Sequence, residues 1–182
     1  DQYNVTVYHA WGMTEMSPLG TYGNLKGKHM EADWPTQRAL LLKQGRAVFG
    51  VDMKVVDPEG TELARDGVAS GDLLVRGSWI VKEYFKGDGG QILDNDGYFG
   101  TGDVATLDPD GFMQITDRSK DVIKSGGEWI SSIDVENIVM AHPAVMMAAC
   151  IGIKHPKWDE RPILVVVRKP GADVTAQEII KF

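Results

Sequence analysis

Apolar residues in this chain come in short runs, each broken within a few positions by proline, glycine or aspartate. Between Gly50 and Thr116 four such runs predict strands: Val51 to Val56, Asp72 to Arg76, Val104 to Leu107 and Phe112 to Ile115. The breaks Asp57-Pro-Glu-Gly60 and Asp108-Pro-Asp-Gly111 carry turn chemistry. In each, an aspartate can bond its own backbone and a glycine can take positive φ. Short strands joined this way predict a small antiparallel sheet or a distorted barrel. Upstream, Val5 to Tyr8 is β-prone and leads into Trp11-Gly-Met-Thr-Glu15, which places that group at a strand end or in the loop after it. Pro18, Gly20, Gly23 and Gly27 predict loops. Thr36 to Gln44 predicts a helix with Leu40, Leu41 and Leu42 as its apolar content and Gly45 as its stop.

The pattern changes at Asp117. Ser131 with Asp134 beyond it predicts a capping box and a helix whose apolar side is Ile133, Val135, Ile138 and Val139, ended by His142-Pro143. Val145 to Ile153 and Pro162 to Val167 predict two buried strands, and Thr175 to Phe182 starts another helix. The fold class is therefore α+β. A first domain covers residues 1–118, with its β-rich part over about 46–116, and a small α+β domain covers 119–182. The boundary falls near Arg118 to Asp121, with no long linker.

At 182 residues the chain holds one full domain or parts of two. A hydrophobic share of 43% and a charged share of 25% are those of a soluble globular protein. The formal net charge of -7 argues against nucleic acid, which needs a positive face. It does not argue against a nucleotide, since a local basic cluster and Mg²⁺ suffice for that. A single cysteine, Cys150, rules out an internal disulfide and any multi-cysteine metal site. It sits in an apolar run as a buried, inert thiol, consistent with a reducing, cytoplasmic setting. No signal peptide and no apolar run long enough to cross a bilayer is visible. An oligomer is possible, but its state is not legible. The chain starts without an initiator Met and stops inside a predicted helix, so both ends read as cuts.

Three groups of residues carry chemistry. Trp11-Gly-Met-Thr-Glu15 offers an aromatic face, a glycine for close approach, a hydroxyl for a phosphate oxygen and a carboxylate for Mg²⁺; a surface loop with a capping Thr and a solvated Glu is the plain alternative. Thr101-Gly-Asp103 sets one carboxylate beside flexible backbone, suited to both hydroxyls of a ribose or, equally, to capping its own turn. Arg118, Lys120 and Lys124 gather three bases ahead of Gly126-Gly127 and Trp129; the arginine can fork onto a ribose or carboxylate and the lysines suit phosphate. A solvated basic face would not require the glycines and the tryptophan that follow. His9, His29, His142 and His155 lack metal spacing, although His9 could line a pocket.

In order and spacing, Trp11 to Glu15, Tyr98 to Asp103 and Asp117 to Ile130 resemble successive signatures of the adenylate-forming superfamily, that is, AMP-forming acyl-CoA synthetases, peptide-synthetase adenylation domains and luciferases. Lys124-Ser-Gly-Gly-Glu-Trp-Ile-Ser-Ser132 is similar to medium- and long-chain fatty-acid–CoA ligases in particular. The resemblance implies that Trp11 stacks on adenine with Gly12 beside it, that Thr14 binds phosphate and that Glu15 holds Mg²⁺. It implies Asp103 on the ribose with Arg118 assisting, and Lys120 at a hinge about which the small domain turns. Lys124 and Trp129 fall near nucleotide and phosphate, with Lys124 joining Thr14 and Glu15 as catalytic candidates, and Gly126 and Gly127 border the path of CoA.

The implied reaction has two steps: a carboxylate attacks the α-phosphate of ATP to give an acyl-adenylate and pyrophosphate, then the CoA thiol attacks the acyl carbonyl and AMP leaves. The cosubstrates are then ATP, CoA and a carboxylic, chiefly fatty, acid. The superfamily's phosphate loop would lie upstream and its catalytic lysine downstream of this segment, so the segment alone is expected to be inactive. The alternatives are an adenylation domain, a ligase for another acid such as a sulfur-containing propionate, or a non-catalytic nucleotide-binding scaffold.

Overall fold

The computed structural model describes every residue except Asp1, Gln2, Asn4 and Thr6, and divides the chain into two compact units, residues 1–115 and 116–182. Of the predicted Val5 to Tyr8 strand, Thr6 lies outside the described residues, while Val5, Val7 and Tyr8 belong to no strand.

Strand β1 (Ala10–Gly12) pairs with β2 (Leu19–Tyr22), a strand where the proline and glycines predicted only loop. Helix α1 (Trp34–Leu41) begins earlier than predicted because Asp33 caps it, accepting from the Thr36 N–H at 3.0 Å, and Pro35 fits the first turn. Gly45 does not merely end a helix; it opens β3 (Gly45–Ala47). Then follow β4 (Val51–Val56), β5 (Ser70–Gly77), β6 (Phe99–Leu107) and β7 (Phe112–Arg118). The strand order is β1-β2-β3-β7-β6-β5-β4, so β1 and β4 are the sheet's edges and the sheet is open, not a closed barrel. Alternation along β5 turns Leu73 and Val75 fully inward, against Met53, Val55, Ala105, Leu107 and Met113.

Both predicted turns form as their chemistry dictates. The Asp57 carboxylate accepts from the Glu59 and Thr61 N–H groups, and Asp108 accepts from Asp110 and Phe112. Gly60 and Gly111 donate back to the carbonyls of Asp57 and Asp108.

In residues 116–182, β8 (Ile123–Ser125) and β9 (Glu128–Ile130) form a hairpin, followed by α2 (Ser132–Met140), β10 (Val145–His155), β11 (Asp159–Arg168) and α3 (Ala176–Lys181). The sheet order is β10-β11-β8-β9. Ser131 caps α2 by accepting from the Asp134 N–H, while its own hydroxyl donates to the Thr116 carbonyl. The helix's predicted apolar side is only partly buried: Val139 is enclosed, but Ile133 and Ile138 are exposed. The two strands predicted as buried are likewise buried on one face only. Val145, Ala148, Leu164 and Val166 turn inward, with Val139 and Ile179 in the same small core, and Cys150 is buried as well.

Candidate functional site

The first site residue is placed by a tight loop. Gly12 ends β1 with a register shift, and a Cβ there would lie 1.8 Å from the Pro18 carbonyl oxygen, so only glycine fits. This gives the glycine a packing reason that needs no ligand. Trp11, just before it, packs on the core, with the six-membered ring against Met16 and Gly20; a Cβ on Gly20 would meet that ring at 2.8 Å. The other end of the indole is also held. Its Nε1–H donates to the Asp103 Oδ2 at 3.1 Å, joining two motifs 92 residues apart in sequence.

Asp103 reaches that position through a bulge. Gly100 pairs with Leu74 and Val104 with Asp72, so β6 takes four steps where β5 takes two. The surplus is absorbed at Thr101-Gly102-Asp103, where Gly102 takes φ +75°. Bulges of this kind redirect side chains that a regular ladder would point elsewhere. Asp103 thus lies inside β6, not ahead of a shorter strand, and is only 5% exposed. Thr101 anchors the bulge: its buried hydroxyl donates to the Leu73 carbonyl at 2.9 Å and accepts from the Asp103 N–H at 3.1 Å.

Thr14 and Glu15 lie on a 3-10 turn (Thr14–Met16) directly after β1 and line a hollow of about 230 Å³ with Ser17, Trp79, Val81 and Tyr84. Tyr84 donates its hydroxyl to the Glu15 Oε1 at 2.9 Å, and that bond raises the phenol's pKa. Val81 N–H donates to the Glu15 carbonyl at 2.8 Å and Trp79 Nε1–H to the Leu19 carbonyl at 3.2 Å, tying the 79–84 segment over the turn. Tyr84 and Trp79 went unread in the sequence; aromatics spaced between two strands were the one signal available. No three His, Cys, Asp or Glu side chains among the described residues converge as a metal cage. One carboxylate with one hydroxyl fits Mg²⁺ that takes its remaining ligands from phosphate and water.

In the second unit, Lys124 pairs with Trp129 across β8–β9 and places its Nζ 4.9 Å from the ring centroid. Gly126 and Gly127 form the two-residue hairpin turn, with φ +64° and +87°, which supplies a conformational reason for both glycines. Gly126 also packs against Trp158, whose carbonyl accepts its N–H at 2.9 Å. Arg118 and Lys120 line a separate hollow of about 430 Å³ together with Asp117, Glu136, Cys150 and Glu160. Three of its carboxylates have structural tasks: Asp117 accepts from the Ser132 N–H and hydroxyl, Glu136 from the Cys150 N–H, and Glu160 from the Lys124 N–H. Burial pushes the Cys150 thiol pKa up, with Glu136 adding to it, as an inert thiol requires. His9 lines a hollow with Tyr8, Trp34 and Leu42, and His29 bonds Asp110 at 2.9 Å.

The family model of the AMP-binding enzyme matches residues 1–85, and that of the AMP-binding enzyme C-terminal domain matches residues 134–182. The chain belongs to the AMP-binding enzyme family. This AMP-binding enzyme chain is 54% identical to a 3-methylmercaptopropionyl-CoA ligase of Ruegeria lacuscaerulensis, over 100% of this chain and 34% of the relative. It is 48% identical to a medium-chain-fatty-acid–CoA ligase of Ectopseudomonas oleovorans, over 100% of this chain and 33% of that one. Among solved structures, ATP-bound MatB from Rhodopseudomonas palustris superposes with a TM-score of 0.75 at 30% identity, over 94% of this chain and 32% of that one. The o-succinylbenzoate CoA synthetase from Bacillus subtilis bound to its acyl-adenylate also gives 0.75, at 28% identity, over 99% of this chain and 34% of that one. The chain thus spans about a third of the length of the curated relatives it matches.

Proposed function

We propose that this chain is part of an ATP-dependent carboxylate–CoA ligase that makes an acyl-adenylate and then an acyl-CoA thioester. The observation that carries the reading is the contact between Trp11 and Asp103, which unites two separate signatures around one buried carboxylate. Asp103 accepts the ribose hydroxyls, the partly buried Trp11 lies against the adenine with Gly12 beside it, and Thr14 donates to phosphate. Glu15 holds Mg²⁺, which when bound offsets phosphate charge. In the second unit Arg118, Lys120, Lys124 and Trp129 take nucleotide roles, Lys120 marks the hinge, and Gly126 and Gly127 border CoA. Residues 1–118 then end the large AMP-binding domain and 119–182 begin the small one. Such a site works by positioning and by neutralising charge, with little covalent chemistry from the protein.

The substrate is a fatty acid on the match of Lys124 to Ser132 with fatty-acid ligases. The higher identity to methylmercaptopropionyl-CoA ligase, 54% against 48%, favours a short sulfur-containing acid as a second reading. The test is pyrophosphate release by the full-length protein with CoA and, in turn, octanoate, palmitate and 3-methylmercaptopropionate, compared by kcat/KM. Release with at least one acid is expected; no release with any carboxylic acid would overturn the ligase. Asp103→Ala should remove most of the activity, and an unchanged phenotype of that variant would favour a non-catalytic scaffold.

A further inference from the structure

Asp103 is a nearly enclosed carboxylate, and a carboxylate taken from water must be met by fixed donors or it adopts whatever rotamer finds them. The donor it has from Trp11 is of a particular kind. An indole N–H donates only, does not ionise at ordinary pH and cannot reverse its polarity, unlike a hydroxyl or a histidine. Its position is set at both ends, since Met16 and Gly20 confine the six-membered ring while the N–H meets Oδ2. The backbone of Asp103 is fixed independently by Thr101. Trp11 therefore holds one oxygen of the carboxylate, Oδ2, without itself needing to touch a sugar.

We propose that Trp11 is a positioning residue that orients Asp103 for the ribose through its indole N–H, a task separate from the stacking its ring face performs. The inference rests on the reading of Asp103 as the ribose acid. It predicts a specific loss. Removing the N–H while keeping the ring weakens recognition of the ribose hydroxyls and leaves recognition of the base in place.

The experiment compares the full-length protein with Trp11→Phe and with a variant carrying β-(3-benzothienyl)alanine at position 11, which keeps the bicyclic shape and lacks the N–H. Dissociation constants are measured for ATP and for 2′,3′-dideoxy-ATP, with circular dichroism to confirm folding. The parent protein should prefer ATP, and both variants should shrink that preference by about tenfold, the size expected for one charge-assisted hydrogen bond. Binding of the dideoxy nucleotide should be nearly unchanged in the benzothienyl variant. A preference that survives intact in that variant overturns the positioning role. If Trp11→Phe fails to fold, the benzothienyl variant decides alone, because it preserves the packing on Gly20 and Met16. A parent protein that binds both nucleotides equally overturns the assignment of Asp103 itself, and so is told apart from failure of the Trp11 role.

Discussion

Residues 1–115 and 116–182 enclose their apolar side chains to very different depths. The first unit has Leu73, Val75, Ala105 and Met113 fully enclosed among four strands, and its site elements stand on that sheet. The second has Val139, Val145 and Ile179 against one face of β10–β11. On the opposite face Met147, Ile151, Ile163, Val165 and Val167 stay 40–59% exposed, with Met147 opposite Val167, Ile151 opposite Ile163 and Val165 opposite Ala149. A carboxylate aimed by a bulge needs a stiff sheet behind it. Basic side chains on a short hairpin, where a lysine rests on a tryptophan face, need much less.

The largest test of this contrast is truncation of each core. Leu73→Ala should cost about 2–5 kcal/mol, the range for a fully buried leucine leaving a cavity. Val145→Ala should cost about 2 kcal/mol, since fewer groups surround it and less is removed. Urea unfolding gives the totals, and hydrogen exchange of β5–β6 amides against those of α2 and β10 gives their location. Equal costs would show that the second core is as tightly packed as the first. A smaller but sharper change is Asp117→Ala. Asp117 is 1% exposed and receives both the N–H and the hydroxyl of Ser132, so its loss strands two buried donors. About 2 kcal/mol is expected, seen as fraying of α2, and an unchanged melting temperature would contradict it.

The same contrast decides what could be read from the chain. Val51 to Val56 is legible because its ends are fixed by local chemistry: the sheet strand stops where Asp57 can tie its own turn. The strands after Val145 were legible in place but not in burial. A continuous apolar run looks the same whether one face or both are covered, and only the positions of α2 and α3 settle that. Gly126-Gly127 invites a ligand interpretation because a glycine's tolerance of positive φ and its tolerance of close approach leave the same mark in sequence. The contact of Trp11 with Asp103 depends on strand order, which no local pattern encodes, and Tyr84 at Glu15 depends on the 79–84 segment folding over the turn. The candidate site was thus legible as pieces, through its motifs, and not as an assembly.

At the other side of the first sheet, Tyr98 offers a measurement in alkali. Its hydroxyl donates to the Asp52 Oδ2, and its ring lies between the Lys54 Nζ at 4.2 Å and the Arg76 Cζ at 4.4 Å. Burial first, then the bond to Asp52, pushes the phenol up to about 12 from an ordinary 10.0. A raised pKa in the fold means the unfolded chain ionises first. The contribution is therefore complete below pH 10.0 and is lost as pH rises towards about 12. Absorbance titration should show Tyr98 ionising last of the tyrosines, and Tyr98→Phe should flatten the loss of stability over that window. A titration with no tyrosine whose midpoint lies clearly above the ordinary 10.0 would contradict the arrangement.

The smallest effect expected lies at the β6–β7 turn, where Asp110 receives Lys28 at 2.6 Å, His29 at 2.9 Å and Lys26 at 3.3 Å, while Lys43 meets Asp108 at 2.7 Å. The Lys28 bond leads in holding the Asp110 carboxyl far below its usual range, with His29 and Lys26 adding to it against the opposing effect of burial. Because the folded value is the lower one, the contribution is present above the unfolded value of 3.8 and is lost as pH falls through the folded one. Lys28 is largely exposed, so screening keeps the effect slight, and salt should reduce it further. The gap in melting temperature between the parent protein and Asp110→Asn should hold steady near neutrality and narrow below pH 3.8. A gap that stays constant into acid would show that the turn is held by its backbone bonds from Asp108 and Gly111, not by the cations gathered around it.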